Sequence, residues 1–180
     1  MNSLIGKIVD AHGGVDRWNR LERVEATVVG SGGFFRFKGM PQDSVPRRLT
    51  VSLHNPRVTL SHFGAPDQSF VFTPERAAVE KVDGTVVVER YAPRQGFAGH
   101  QMSTPWDPLH QAYFSGEAFW TYFTTPFLLA YEGVRIEEIE TLEGRIGKLA
   151  RLARPIPGFH RDSQSLSGLL FRRRSAVAAS

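Results

Sequence analysis

The chain predicts an α+β fold: a bent antiparallel β-sheet, preceded by an N-terminal helix, with an aromatic-rich helix in its concave face. Three observations predict it. Short runs alternating apolar and polar residues succeed one another from Val24 to Tyr91, with turn residues between them. Such spacing makes a meander of antiparallel strands, because parallel strands need long crossovers. A three-to-four-residue apolar period precedes that block. A segment dense in aromatic residues follows it, opened by a helix-start signal.

Asn2 or Ser3 can cap the first helix, in which Leu4, Ile5, Ile8, Val9, His12 and Val15 recur on one face before Gly13-Gly14 weakens it. Val15–Leu21 adds a turn carrying Trp18 and Leu21. From Val24 the period becomes two. Val24, Ala26, Val28 and then Phe35 and Phe37 alternate with Glu25, Thr27, Arg36 and Lys38, as a strand pair or one long strand bent at Gly30, Gly32 and Gly33. Further strands are expected over Arg48–His54, Arg57–Phe63, Ser69–Thr73, Arg76–Val82 and Thr85–Tyr91. Asn55-Pro56 and Thr73-Pro74-Glu75 punctuate them, and Asp83-Gly84 suits a type I′ hairpin.

Ala92–Pro105 reads as a loop. Asp107 is a good N-cap with Pro108 at the permitted first helical position, and the helix runs to about Phe123. Its apolar residues cover most of its circumference, which predicts a helix enclosed by the sheet. Pro126–Ala130 is a second apolar run, and Val134–Thr141 resumes a strand through Val134 and Ile136.

Composition bounds the function. A chain of 180 residues suits one domain, and 22% charged with 11% aromatic residues argues against wholesale disorder. The absence of cysteine excludes disulfides, thiolate metal sites and cysteine nucleophiles. The isoelectric point near 9.8 suggests a polyanion partner until the charge is located. Residues 1–143 carry 14 Lys/Arg against 17 Asp/Glu, a net of −3, whereas residues 144–180 carry eight against one, a net of +7. The chain therefore divides into a body (1–143) and a basic, weakly patterned tail (144–180), and bulk charge gives no support to specific nucleic-acid binding. In the tail, Ile146, Leu149 and Leu152 would allow only a short basic helix. No stretch approaches a membrane-spanning helix, and MNSLIGKIVDAHGG lacks the basic and apolar regions of a secretion signal. As written the protein is expected in the cytoplasm, or in the periplasm if its start lies elsewhere.

The order of helix, bent meander and aromatic helix resembles the half-barrel of the LolA/LolB-type lipoprotein carriers. A set of uncharacterised bacterial proteins with that proposed architecture is more closely similar. The shared blocks are Ala11-His12-Gly13-Gly14 with Trp18, Phe72-Thr73-Pro74-Glu75-Arg76, Phe97-Ala98-Gly99-His100, Thr104-Pro105-Trp106-Asp107 with Leu109-His110, Ala112-Tyr113-Phe114, and Thr124-Thr125-Pro126-Phe127-Leu128-Leu129. The resemblance implies a half-barrel, here incomplete, because the strand pattern expected to continue past Glu143 gives way to the basic tail. An out-of-frame or truncated end would produce such a tail, and a sheet short of strands would expose an edge for self-association.

Trp106, Tyr113, Phe114, Phe119, Trp120, Tyr122, Phe123 and Phe127 fall within 22 residues. As core they pack the sheet. As a site, Trp106, Tyr113, Phe114, Phe119, Trp120, Phe123 and Phe127 would line a concavity for a hydrophobic or lipid-like ligand, bound without chemistry. The alternatives are an enzyme using His100, Asp107 and His110, in which Asp107 orients His110 as a base, or an inactive truncated product. The Asp107–His110 spacing equally suits a contact that fixes the helix start. His12 suits a contact with carbonyls at a helix end. No zinc motif, phosphate-loop frame or nucleophile elbow is present, so no metal or cofactor is expected. Glu137, Glu138, Glu140 and Glu143 read as a solvated strand face.

Overall fold

The computed structural model describes residues 4–30, 33–131 and 134, together with three short strands near the C-terminus, Leu142–Gly144, Gly147–Ala150 and Phe171–Arg172. Two compact units emerge, one of Asp16–Thr125 and one of Met1–Val15 with Pro126–Ser180.

The chain begins with helix α1 (Leu4–Ala11), which ends where Gly13 and Gly14 take positive φ angles. His12 closes it, its Nδ1 lying 2.7 Å from the Ile8 carbonyl. Helix α2 (Gly14–Asn19) then carries the buried Trp18, whose ring meets His54 edge-on at 5.9 Å.

The larger unit is built on a six-stranded antiparallel sheet in sequential order: β1 (Arg23–Val28), β2 (Arg47–Ser52), β3 (Val58–Ser61), β4 (Gln68–Phe72), β5 (Arg76–Lys81) and β6 (Val86–Tyr91). The period-two pattern sets its register. Leu49 faces Leu60, which faces Phe70, which faces Val79; one rung along, Val51, Val58, Phe72 and Ala77 line up in the same way. Both rungs lie on one face, and all eight side chains are buried. A one-residue slip would turn both rungs to the opposite face, so this pattern specifies the pairing. Arg90 continues the second rung opposite Ala77, at the far end of the sheet.

Helix α4 (Pro108–Thr124) packs on this face. A third helix, α3 (Gly33–Phe37), interrupts the connection from β1 to β2. The alternation of Phe35 and Phe37 suggested a strand there, and the structure corrects it. A strand would send the neighbouring rings of Phe34 and Phe35 to opposite faces. Instead both meet Trp106 and Phe114, at centroid distances of 5.4–6.2 Å, which a helical turn permits.

Two turns also differ from the pattern. In the β5–β6 connection only Gly84 has a positive φ, and its N–H donates to the Lys81 carbonyl at 2.9 Å. Asp83 stays on the ordinary side and accepts the Thr85 N–H at 2.9 Å, so the turn is not type I′. A register shift between Val79 and Glu80 absorbs the extra length. The segment expected to be loop after β6 contains a 3-10 turn, Pro93–Phe97, entered through Ala92 in the left-handed region.

In the other unit, a 3-10 turn at Phe127–Ala130 packs against α1. Three strands, β7 (Leu142–Gly144), β8 (Gly147–Ala150) and β9 (Phe171–Arg172), pair antiparallel in that order. Residues 147–150 are thus extended rather than part of a short helix. The strand expected over Val134–Thr141 lies outside the described residues beyond Val134, as does the acidic cluster from Glu137 to Glu140.

Candidate functional site

The site is organised by α4. Leu109, Ala112, Tyr113, Gly116 and Trp120 recur at helical spacing, and all are buried. Gly116 lets the helix approach closely, because a Cβ there would overlap the Phe72 side chain. Trp120 donates its indole N–H to the Ser52 carbonyl at 3.0 Å, tying the far end of α4 to β2. A second stripe, Pro108, Gln111, Ser115 and Phe119, lines a cavity of about 970 Å³. The opposing walls include Val28, Phe35, Leu60, Phe63, Val79 and Val88. A third side stays open: Phe114 and Tyr122 are exposed, so the sheet does not enclose the helix all round.

The start of α4 is held unusually firmly. Asp107 accepts the His110 backbone N–H at 2.9 Å, and His110 Nδ1 accepts the Asp107 backbone N–H at 3.2 Å, a reciprocal capping box. The other ring nitrogen, Nε2, lies 2.9 Å from the Gly96 carbonyl and 3.4 Å from Arg90 Nη1. Arg90 grips the same carboxylate, Nη2 to Oδ2 at 2.6 Å. Partial burial alone would raise the Asp107 carboxyl, but Arg90 and the His110 N–H outweigh it and hold it below the usual carboxylate range. His100 packs beside His110, ring centroids 4.7 Å apart, with its Nδ1 buried and without a hydrogen-bond partner. Desolvation first, then the neighbouring His110 and the Lys38 ammonium, lower its pKa.

Lys38 is a residue that sequence reasoning passed over. It is buried, with Nζ donating to the carbonyls of Met102 (2.5 Å), Gln101 (3.3 Å) and Thr104 (3.3 Å). The Trp106 ring lies 5.3 Å from the same ammonium, and Phe34 and Phe37 lie about as near. The Trp106 N–H in turn donates to the Lys38 carbonyl at 2.8 Å. One cation thereby clamps the loop before α4 onto the end of α3. The one sequence signal was a lysine that follows three phenylalanines, Phe34, Phe35 and Phe37.

The structure separates the aromatic set expected at the site. Phe119 lines the cavity. Tyr113 and Trp120 are buried, and Tyr113 meets the rings of Phe72 and Phe97. Trp106 and Phe114 stack with each other and with α3. Phe123 is half-buried, and Phe127 belongs to the other unit, where it is buried. Tyr113 donates to the Glu117 carboxylate at 2.5 Å; burial first, then this acceptor, push its phenol up, and burial raises Glu117 as well. His100 and His110 are brought together with Asp107, and none of the three is among the cavity-lining residues. Among the described residues no group of three or more His, Asp or Glu side chains could hold a metal ion.

Compared with protein-family models, with curated proteins and with solved structures, the chain has no significant match in any of the three. The class stands on geometry alone: an α+β protein whose open six-stranded antiparallel sheet packs against one long helix. Among the described residues no helix is long and apolar enough to cross a membrane.

Proposed function

We propose that this protein binds an apolar, lipid-like small molecule between the face of the sheet and α4, and does not transform it. The observation that carries the reading is the cavity of about 970 Å³, walled by Val28, Phe35, Leu60, Phe63, Val79, Val88 and Phe119. Small-molecule pockets of this size are typically apolar with a few placed polar groups. The resemblance in element order to the LolA/LolB-type carriers agrees with the reading at the level of fold only. The alternative of an enzyme centred on Asp107, His110 and His100 has less support, because both His110 ring nitrogens and the Asp107 carboxylate are engaged in fixing the start of α4.

The test is titration with Nile red, a neutral apolar dye whose emission rises on leaving water. Saturable binding, competed by long-chain amphiphiles and weakened by Val79→Asp in the cavity wall, is the expected result. No saturable binding by a chain with intact far-ultraviolet circular dichroism would refute it.

A further inference from the structure

We propose that the ligand carries an uncharged hydrogen-bonding group, an alcohol, ester or amide, received by Gln111 and Ser115, and that the cavity discriminates against free carboxylates. This rests on the apolar-binding reading above and names its ligand class. Gln111 and Ser115 stand one turn apart on α4, both line the cavity, and each is only 8% exposed. Neither side chain has a hydrogen-bond partner among the described residues, and their polar atoms are open to the cavity rather than sealed in the core. Polar groups that line a cavity give up water to a ligand without loss only where the ligand replaces those hydrogen bonds. Gln111 and Ser115, two such groups on one cavity-facing stripe beside Phe119, make a place where a ligand's polar atom is hydrogen-bonded in place of water.

The charges around the cavity exclude an anion there. Of the described residues lining it, Arg47 is the one Arg or Lys. Its guanidinium is already committed: Nη2 to the Asp43 carboxylate at 2.7 Å, Nη1 to the Val45 carbonyl at 3.1 Å and Nε to the His62 carbonyl at 3.1 Å. Asp43 itself lines the cavity, and the Val45 N–H and Arg47 hold its carboxyl below the usual range. The remaining titratable lining group, His62, sits exposed on the β3–β4 connection. The other polar lining side chains, Gln42 and Gln68, are amides. A carboxylate entering this cavity would surrender its hydration, meet no free cation and face Asp43.

The experiment is competition against bound Nile red by decanol, methyl decanoate and decanoate in neutral buffer, which share a chain and differ in the head. Decanol and the ester are expected to compete at least about tenfold better than decanoate, the factor that one net hydrogen bond and an unpaid desolvation readily supply. In Gln111→Leu/Ser115→Ala the preference for decanol and the ester over decanoate should shrink by about tenfold. Ser115→Ala alone, a change of one atom, repeats the comparison should the double variant fold poorly. Decanoate competing as well as decanol, or head-group preference unchanged in both variants, would overturn the inference and leave apolar binding standing. Absence of saturable Nile red binding would remove both.

Discussion

Replacing Gly116 by alanine tests how closely α4 approaches the sheet. The new Cβ would lie 2.6 Å from Phe72 Cδ1 and nearer still to Cγ and Cβ. Carbon atoms in contact prefer about 3.5–4.0 Å, so the helix or the ring must move by roughly 1 Å. The ring has no free direction: Phe72 is 2% exposed, pairs with Val58 and Ala77 on neighbouring strands, and meets Tyr113 edge-on at 5.6 Å. Overpacking of this kind costs about 1–3 kcal/mol, here toward the upper end, and the helical preference of alanine over glycine returns about 1 kcal/mol. The net expectation is a loss of about 2 kcal/mol, a fall of about 4–8 °C in midpoint for a chain of this size. Gly33→Ala is the internal control, because a Cβ at that position meets nothing within 4 Å. Urea unfolding followed by circular dichroism should show Gly33→Ala within about 0.5 kcal/mol of the parent and Gly116→Ala well below it. Equal stability of the two variants would refute the close approach of α4 to β4.

Lys38→Met should cost about 2–4 kcal/mol, because three carbonyls lose a charged donor inside the protein. Faster amide exchange at Thr104 and Trp106 should accompany it, and unchanged exchange would show that the ammonium does not hold the loop. Asp107→Ala should cost about 1 kcal/mol through the lost cap, whereas Asp107→Asn keeps the cap and loses the Arg90 ion pair. Since Asp107 is held below its unfolded value, its ionic contribution is present above about pH 4 and disappears as pH falls through the lower folded value. The stability gap between wild type and Asp107→Asn should therefore close on acidification; a gap independent of pH would contradict the pairing. Glu117 has the opposite sign. Its raised pKa means that the folded state holds the proton longer, so stability falls as pH rises from about 4.3 toward the folded value, and Glu117→Gln should flatten that limb of the profile. At the edge of the sheet, β6 leaves Val86, Val87 and Val88 exposed. Sedimentation velocity should show concentration-dependent association that Val87→Lys reduces, and an equally monomeric pair would remove the edge as an association surface.

The sheet was largely legible because its core face is written at period two. Leu49/Val51, Val58/Leu60 and Phe70/Phe72 each state a strand and its inward face, and the short turns between them leave only neighbour pairing. Asp107-Pro108 likewise announced α4, since capping is local chemistry. What escaped depended on distant partners. Five residues of α3 are too few to separate a helix from a strand, and Trp106, the ring that decides it, lies some seventy residues away. Lys38 reads as a surface lysine until the carbonyls of Gln101, Met102 and Thr104 are brought to it. The aromatic run marked α4 without showing which stripe faces the cavity. Gln111 and Ser115 look like the polar side of an amphipathic helix, and only the sheet opposite makes them interior. Their site was invisible because the cavity that gives them a role is built by distant strands.

The division of the chain has a consequence for the order in which it is built during translation. Each strand of the six-stranded sheet pairs with the next one to be synthesised, so the unit from Asp16 to Thr125 closes its contacts progressively as it leaves the ribosome. Helix α1 is made first, yet the Phe127–Ala130 turn against which it packs is made more than a hundred residues later. At about 5–20 residues per second, α1 waits roughly 6–23 seconds with its apolar face uncovered. The oldest helix in the nascent chain is among the last to find its place, and during that interval its apolar face is open to chaperone capture.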